Sequence, residues 1–284
     1  MVRKLGDLYH QLKEQLSPVS DAPEYEAREI ILQKLGAAPA DILMNRSIEL
    51  DDACQAELDT LVKRRLDHEP LQYLLGEWSF YGRSFLVGEG VLIPRPDTEI
   101  LAETVLSFLR GREGPLRVLE LCGGSGCLAA TIALEQPQAR VWSVEKSPEA
   151  FSYLTRNCER LLADVCCVAG DALDPGVVEG DFDCILSNPP YLSARDMAEL
   201  SPEVQREPFM ALYGEEDGLF FYRELTRLWK KRLKPGGMLA YEIGMGQQDD
   251  VADILTRHEL IDVCQVRDYG GIIRVLTARL SDAP

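Results

Sequence analysis

From Arg117 onwards, short apolar runs alternate with longer amphipathic segments, and this alternation limits the possible folds more than any other feature of the chain. The runs predict strands near 117–122, 140–144, 165–168, 182–187, 238–243, 261–267 and 273–279. The segments between them predict helices near 126–135, 147–161, 218–233 and 247–257. Repeated strand–helix units build an α/β fold with a mostly parallel, doubly wound sheet. Ligands of such sheets lie beyond the C-terminal ends of the strands.

The fourth predicted strand, Phe182-Asp183-Cys184-Ile185-Leu186, runs into Ser187-Asn188-Pro189-Pro190-Tyr191. The two prolines stop a ladder from continuing and fix their own φ. Asn188 and Pro189 each precede a proline and are driven to extended geometry. The product is a stiff loop at a strand end, holding one amide side chain and bare carbonyls. A planar NH2 group can donate one hydrogen to the Asn188 side-chain oxygen and one to the Pro189 carbonyl. Tyr191 is placed to lie against the face of such a group. Alone, the tetrapeptide also reads as a rigid turn, so the chain around it has to decide.

Upstream, Arg117-Val118-Leu119-Glu120-Leu121-Cys122 leads into Gly123-Gly124-Ser125-Gly126 and then a helix. Glycines permit positive φ and close approach of backbone to a ligand. Glu145 ends the second strand about twenty residues on, where a carboxylate can hold both ribose hydroxyls. Asp171 and Ala172 follow the third strand, where Asp171 can accept from an adenine amino group. Three such features at successive strand ends fit a nucleoside across the sheet edge. The loop lacks the full Gly-x-Gly-x-x-Gly fingerprint, and no lysine-bearing phosphate loop is present. An adenosyl cofactor without phosphates therefore fits better than NAD or ATP.

The chain has 284 residues, enough for two domains. Forty-seven acidic against thirty basic residues give a net charge of −17, which disfavours stable nucleic-acid binding. No apolar run reaches membrane-spanning length, and the basic start has no apolar signal core behind it, so no membrane association and a cytoplasmic location are expected. The eight cysteines include no Cys-x-x-Cys pair and the three histidines are scattered, so reduced, mostly core thiols and no metal are expected.

Residues 1–75 read as a small helical domain with no catalytic motif. Leu5, Leu8, Leu12 and Leu16 share a helix face, Pro23 to Gly36 brackets a second helix, and Asp51 caps a third. Residues 76–96 read as a linker containing a β-hairpin, Phe85–Val87 and Val91–Ile93 joined by Gly88-Glu89-Gly90. Its aromatics, Trp78, Phe80, Tyr81 and Phe85, are expected in the core. Asp97 or Thr98 is expected to cap a helix over about 98–109, with Arg95 and Glu99 near a site entrance. Residues 97–284 form the α/β domain.

These motifs together resemble the release-factor glutamine methyltransferases of the HemK/PrmC type. The likeness runs nearly end to end. It includes Gly76-Glu77-Trp78-x-Phe80, Ile93-Pro94-Arg95-Pro96-Asp97-Thr98-Glu99, Asn188-Pro189-Pro190-Tyr191, Glu207-Pro208, and Arg267-Asp268-Tyr269-Gly270. The resemblance implies a Rossmann-like, seven-stranded S-adenosylmethionine-dependent methyltransferase domain behind an N-terminal recognition domain. It implies methyl transfer to the glutamine of a Gly-Gly-Gln loop in peptide-chain release factors, leaving S-adenosylhomocysteine, with no metal and a monomeric enzyme. Cofactor binding would fall to Cys122, Gly123, Gly124, Ser125, Gly126, Glu145, Asp171, Ala172 and Asn188. Substrate binding and catalysis would fall to Asn188, Pro189, Pro190 and Tyr191. The family's usual loop is Asp-x-Gly-Thr-Gly-Ser-Gly; here Glu120 lengthens the acid, Cys122 replaces a glycine and Gly123 a threonine, which puts cofactor affinity and the oxidation sensitivity of Cys122 in question.

Two other readings stand beside this one. A DNA or RNA amino-methyltransferase uses a similar Asn-Pro-Pro-Tyr loop on a flipped base, but the acidity opposes it. A noncatalytic cofactor-binding scaffold is opposed by the intact Asn188, Glu145 and glycines.

Overall fold

All seven expected strands pair into one sheet in a computed structural model that describes residues 2–282. The chain divides into two compact units, one formed by residues up to Glu77 with Ser201–Arg206, the other by Trp78–Leu200 with the chain from Glu207 on. No helix among the described residues is long and apolar enough to cross a membrane.

In the first unit, β1 (Val2–Lys4) pairs antiparallel with β2 (Ser47–Glu49). Helices α1 (Leu5–Leu16), α2 (Pro23–Leu35), α3 (Pro39–Leu43), α4 (Asp52–Leu66) and α5 (Leu71–Leu75) make up the rest. The three long helices were legible, and Asp51 accepts from the Cys54 N–H at 2.7 Å as its cap role requires. The strand pair was not, because three residues are too few to show a period. Arg65 is only 4% exposed, yet each of its three guanidinium nitrogens is hydrogen-bonded. It binds both oxygens of Glu26 at 2.8 and 3.0 Å, Glu203 at 3.1 Å and the Val19 carbonyl at 3.2 Å.

A hairpin follows, β3 (Glu77–Phe80) and β4 (Arg83–Leu86). It lies earlier in the chain than its expected place at 85–93. The tight turn falls at Tyr81-Gly82, where both residues hold positive φ, 50° and 70°. Gly88 and Gly90 serve a different purpose. A Cβ on them would meet the Tyr153 hydroxyl at 2.3 Å and the Glu149 Cβ at 2.7 Å, so they let an irregular segment lie against the helix carrying those residues. Phe80 and Phe85 are in the core, edge to face with ring centroids 6.1 Å apart.

The α/β body continues with α6 (Thr98–Arg110), β5 (Leu116–Leu121), α7 (Cys127–Glu135), β6 (Ala139–Glu145), α8 (Pro148–Leu161), β7 (Val165–Ala169) and β8 (Phe182–Ser187). Short helices α9 (Ala194–Ala198) and α10 (Phe209–Leu212) precede α11 (Phe220–Trp229), β9 (Leu233–Glu242), α12 (Gln248–Arg257), β10 (Ile261–Arg267) and β11 (Ile273–Arg279). The sheet order is β10-β11-β9-β8-β5-β6-β7, with β11 antiparallel to both its neighbours and the remaining pairs parallel. Both faces are covered. Val118, Val141, Leu186 and Ala240 pack under α6, α7 and α8, whereas Leu119, Val144, Ile185 and Tyr241 pack under α11 and α12. Adjacent strand residues thus serve opposite cores, so each parallel strand reads as a continuous apolar run. The helix expected over 218–233 ends at Trp229, and β9 starts five residues before its expected place. Lys234–Gly237 forms an irregularity in register with β8, and its Pro235, Gly236 and Gly237 disguised the strand.

All eight cysteines are free, as expected of reduced thiols. Cys127, Cys158 and Cys184 are in the core and Cys122 and Cys167 pack against it, in line with the expectation of mostly core thiols, whereas Cys166 and Cys264 are exposed on edge strands.

Candidate active site

The order of the sheet reverses at β5, which has β6 on one side and β8 on the other. The loops leaving these three strands and β7 border a cavity of about 450 Å³, within the size range of small-molecule sites. Cys122, Gly124, Glu145, Asp171, Ala172, Asn188 and Pro190 all line it. Residues distant in sequence, Leu92, Phe209, Met210, Tyr213, Phe220 and Phe221, complete its largely apolar wall.

Glu145 is locked by backbone donors on both oxygens. Oε2 accepts from the Gly124 N–H at 2.8 Å and Oε1 from the Ser147 N–H at 2.7 Å. An ionised carboxylate has further lone pairs, which remain for two ligand hydroxyls. Asp171 bonds the Leu173 N–H at 2.9 Å and pairs with Lys146 at 2.8 Å. Burial works against its charge, but Lys146 and the Leu173 amide outweigh burial and hold the carboxyl below its usual range. The backbone behind this loop is fixed from inside by the Trp229 indole, which donates to the Ala172 carbonyl at 2.7 Å.

The glycine loop divides its labour. Gly124, at φ 54°, borders the cavity, and a Cβ there would meet nothing within 4 Å. Gly126, at φ 78°, does not line the cavity; a Cβ there would strike Leu154 Cδ1 at 2.5 Å, so this glycine lets the loop press onto α8. Gly123 and Ser125 also lie outside the lining. Asn157, which no motif reading singled out, ties the Ser125 carbonyl at 2.9 Å to both polar groups of the Leu86 backbone. Cys122 adopts φ 62°, the left-handed region that favours glycine. Its enclosed position, and then the Glu145 charge, push its thiol up to about 12, so it is protonated at neutral pH.

Asn188 donates from Nδ2 to the Thr98 hydroxyl at 3.4 Å. Pro189 and Tyr191 do not line the cavity. The half-buried Tyr191 ring packs against the core under α11 and α12, with its hydroxyl 3.5 Å from Glu242 Oε1. Its carbonyl accepts from Gln247 at 2.9 Å, and the next residue exchanges backbone bonds with Leu212 and Gly214 at 2.9 and 2.8 Å. The stiff loop is therefore clamped on both sides by chain that sequence reasoning left unassigned. A hint was available in Glu242, a lone charge ending the apolar run from Met238 to Tyr241.

The Arg95–Glu99 segment turns out to be a set of ties. Arg95 pairs with the buried Glu207, which also accepts from the Ile93 N–H at 3.0 Å. Asp97 makes no capping bond and instead pairs with Arg274 at 3.0 Å, which corrects the expected cap. Thr98 takes the Asn188 amide, and Glu99 accepts from the Tyr81 N–H at 2.7 Å. Arg95 and Glu99 do not line the cavity.

Comparison with known proteins agrees with this architecture. A model of the PrmC N-terminal domain matches residues 7–76, and one of the methyltransferase small domain matches residues 97–204. A methyltransferase structure from Pyrococcus furiosus shares the fold at 20% identity and a TM-score of 0.53, over 81% of this chain and all of that one. The release factor glutamine methyltransferase of Thermodesulfovibrio yellowstonii is 39% identical over 262 residues, 90% of this chain and 92% of its own. That of Geobacter sulfurreducens is 38% identical over 256 residues, 90% and 89% of the two chains. With identity of this order sustained across both parts of the sequence, the chain belongs to the release factor glutamine methyltransferase family.

Proposed function

We propose that this protein transfers the methyl group of S-adenosylmethionine to the side-chain amide nitrogen of the glutamine in the Gly-Gly-Gln loop of peptide-chain release factors. The observation that carries the reading is the meeting of Asn188 with Glu145 and Gly124 on one cavity wall, at the point where the sheet order reverses. The lining suits the cofactor's charge. Three carboxylates, Glu145, Asp171 and Glu215, face one ammonium, Lys146, among the described residues. That balance favours a cationic sulfonium and opposes a polyphosphate.

When bound, the cofactor supplies an electrophilic methyl group. Glu145 would hold the ribose hydroxyls, Asp171 and Ala172 the adenine side, and Cys122 and Gly124, on the loop that Gly123, Ser125 and Gly126 shape, the methionine part. Asn188 Oδ1 and the Pro189 carbonyl would accept the two hydrogens of the substrate NH2. An amide nitrogen is a poor nucleophile because its lone pair is conjugated with the carbonyl. Two fixed acceptors favour a more pyramidal nitrogen and stabilise the positive charge that develops on it. Most of the rate gain would then come from placement of the substrate nitrogen by these acceptors against the bound methyl donor. The N-terminal helices, residues 1–75, are assigned to recognition of the release factor, because they carry a full core and no catalytic motif.

The test is transfer of labelled methyl to wild-type release factor, to a factor with the loop Gln changed to Glu, and to DNA. Label on the wild-type factor alone supports the reading. Comparable label on the Gln→Glu factor would refute the two-acceptor clamp, and label on DNA alone would transfer the assignment to a nucleic-acid amino group.

A further inference from the structure

A polar line runs behind the Asn188 amide, away from the cavity. Glu242 ends β9 and is 2% exposed. The Tyr191 hydroxyl stands 3.5 Å from its Oε1, and the neighbouring Thr98 hydroxyl favours the charged form of the same carboxylate. Its Oε2 is buried and has no hydrogen-bond partner within 3.5 Å among the described residues. Thr98, 3% exposed, accepts in turn from Asn188 Nδ2 at 3.4 Å. A buried carboxylate with an unsatisfied oxygen is a costly thing to keep in a folded sheet.

The chemistry of the line is directional. A hydroxyl has one proton to give. An ionised Glu242 can only accept, so the Thr98 proton goes to it. The Thr98 oxygen is then left to accept, and the NH2 end of Asn188 is the donor that satisfies it. The Asn188 carbonyl oxygen is thereby turned to the opposite side, towards the cavity that Asn188 borders. An asparagine amide has two nearly isosteric orientations, and only one presents an acceptor there.

We propose that Glu242, acting through the Thr98 hydroxyl, is the positioning residue that keeps the acceptor end of the Asn188 amide facing the substrate nitrogen. This rests on the reading that Asn188 accepts from a substrate NH2 group.

The state of Glu242 sets the direction. The charged and titratable groups facing it are Asp97 and Arg274, which pair with each other, together with Tyr191, Tyr222 and Cys127. Burial pushes the carboxyl up to about 7, against the Thr98 hydroxyl and Arg274. Burial, and then the Glu242 charge, raise the Tyr191 phenol, so it remains a donor. Once protonated, Glu242 can donate to Thr98; Thr98 can then donate to a flipped Asn188, whose NH2 would face the substrate NH2. The productive orientation is therefore present above the Glu242 transition and lost as pH falls through it.

The experiment measures methyl transfer to the release factor against pH, with cofactor affinity measured by calorimetry, for wild type, Glu242→Gln, Thr98→Val and Thr98→Ser. The expected result is an acid limb near pH 7 in wild type, retained in Thr98→Ser. Glu242→Gln and Thr98→Val should lose about 10–100-fold in kcat, the scale of a misplaced reacting group, with unchanged cofactor affinity and no limb near 7. The double variant Glu242→Gln/Thr98→Val should be no worse than either single one, since both break one line. Wild-type kcat and an unchanged acid limb in Thr98→Val would overturn the proposal, as would additive losses in the double variant. If Glu242→Gln no longer binds cofactor, Thr98→Val decides alone, because it removes only the hydroxyl. A wild-type protein that binds cofactor but methylates no release factor would instead refute the function proposed above.

Discussion

Replacing Glu145 by glutamine isolates the ribose contact, and the structure sets its size. Each carboxylate oxygen already takes one backbone N–H, from Gly124 at 2.8 Å and Ser147 at 2.7 Å. About two acceptor positions remain for the two ribose hydroxyls. In Glu145→Gln one oxygen becomes an NH2 that faces a backbone N–H, donor against donor. One hydroxyl bond is lost and the other is no longer charge-assisted. A hydrogen bond to a charged group is worth about 1.5–3 kcal/mol, so the cofactor Kd should rise about 10–150-fold. Calorimetry with S-adenosylmethionine measures this, and a cofactor analogue lacking the ribose hydroxyls closes a double-mutant cycle. Wild type should lose affinity for the analogue, while Glu145→Gln should barely distinguish the two ligands. A variant Kd within about two-fold of wild type, or an equal analogue penalty in both proteins, would refute the assignment, because the perturbation would lie far below the energy of one charge-assisted bond.

Other substitutions separate loop geometry from ligand contact. Gly124→Ala should cost about 1–2 kcal/mol of stability from its positive φ alone and weaken cofactor binding more than folding, whereas Gly126→Ala must also displace Leu154 and should cost about 1–3 kcal/mol more in urea denaturation. Glu120 is buried, and burial raises its carboxyl from 4.5 to about 8 despite the Ser143 hydroxyl donating at 2.5 Å. The folded state therefore holds a proton that the unfolded chain releases, so stability should fall as pH rises from about 4.5 to 8, by at most about 1.4 kcal/mol per pH unit from this group; Glu120→Gln should flatten that decline in pH-resolved melts. Arg65→Ala should destabilise by about 3–5 kcal/mol, because it removes the buried guanidinium that pairs with both Glu26 and Glu203; a loss under about 1 kcal/mol in thermal unfolding would show that water and their remaining partners, Ser20 and His68, relieve them.

The central strands could be read before the structure because a strand buried on both faces must be apolar throughout, and most of the helices between strands because they are amphipathic. Elements with little or no period escaped: the three-residue β1 and β2, the register of the β3–β4 hairpin, and the start of β9 behind Pro235 and Gly236. The sites at the strand ends were legible for a related reason. Glu145, Asp171 and Asn188 follow apolar runs directly, so their neighbours in sequence place them on one sheet edge, and all three line the cavity.

What the sequence determined by itself is thus the local part: which segments are strands, which loops follow them, and which residue types those loops offer. Pairings across long separations were decided by the tertiary structure alone. Arg95 meets Glu207, Asp97 meets Arg274, Thr98 meets Asn188, Asn157 meets Leu86 and Ser125, and Gln247 meets Tyr191. None of these pairs has a spacing that local geometry dictates. Each exists because sheet order and helix packing bring distant chain together, and because a polar group enclosed there must find a partner or destabilise the fold. The same reason explains Tyr191. Its place after two prolines suggested a ring lying on the substrate; the half-buried ring packs against the core, with its hydroxyl 3.5 Å from Glu242 Oε1. Only the packing of β8, β9 and α11 determines which way that side chain can turn.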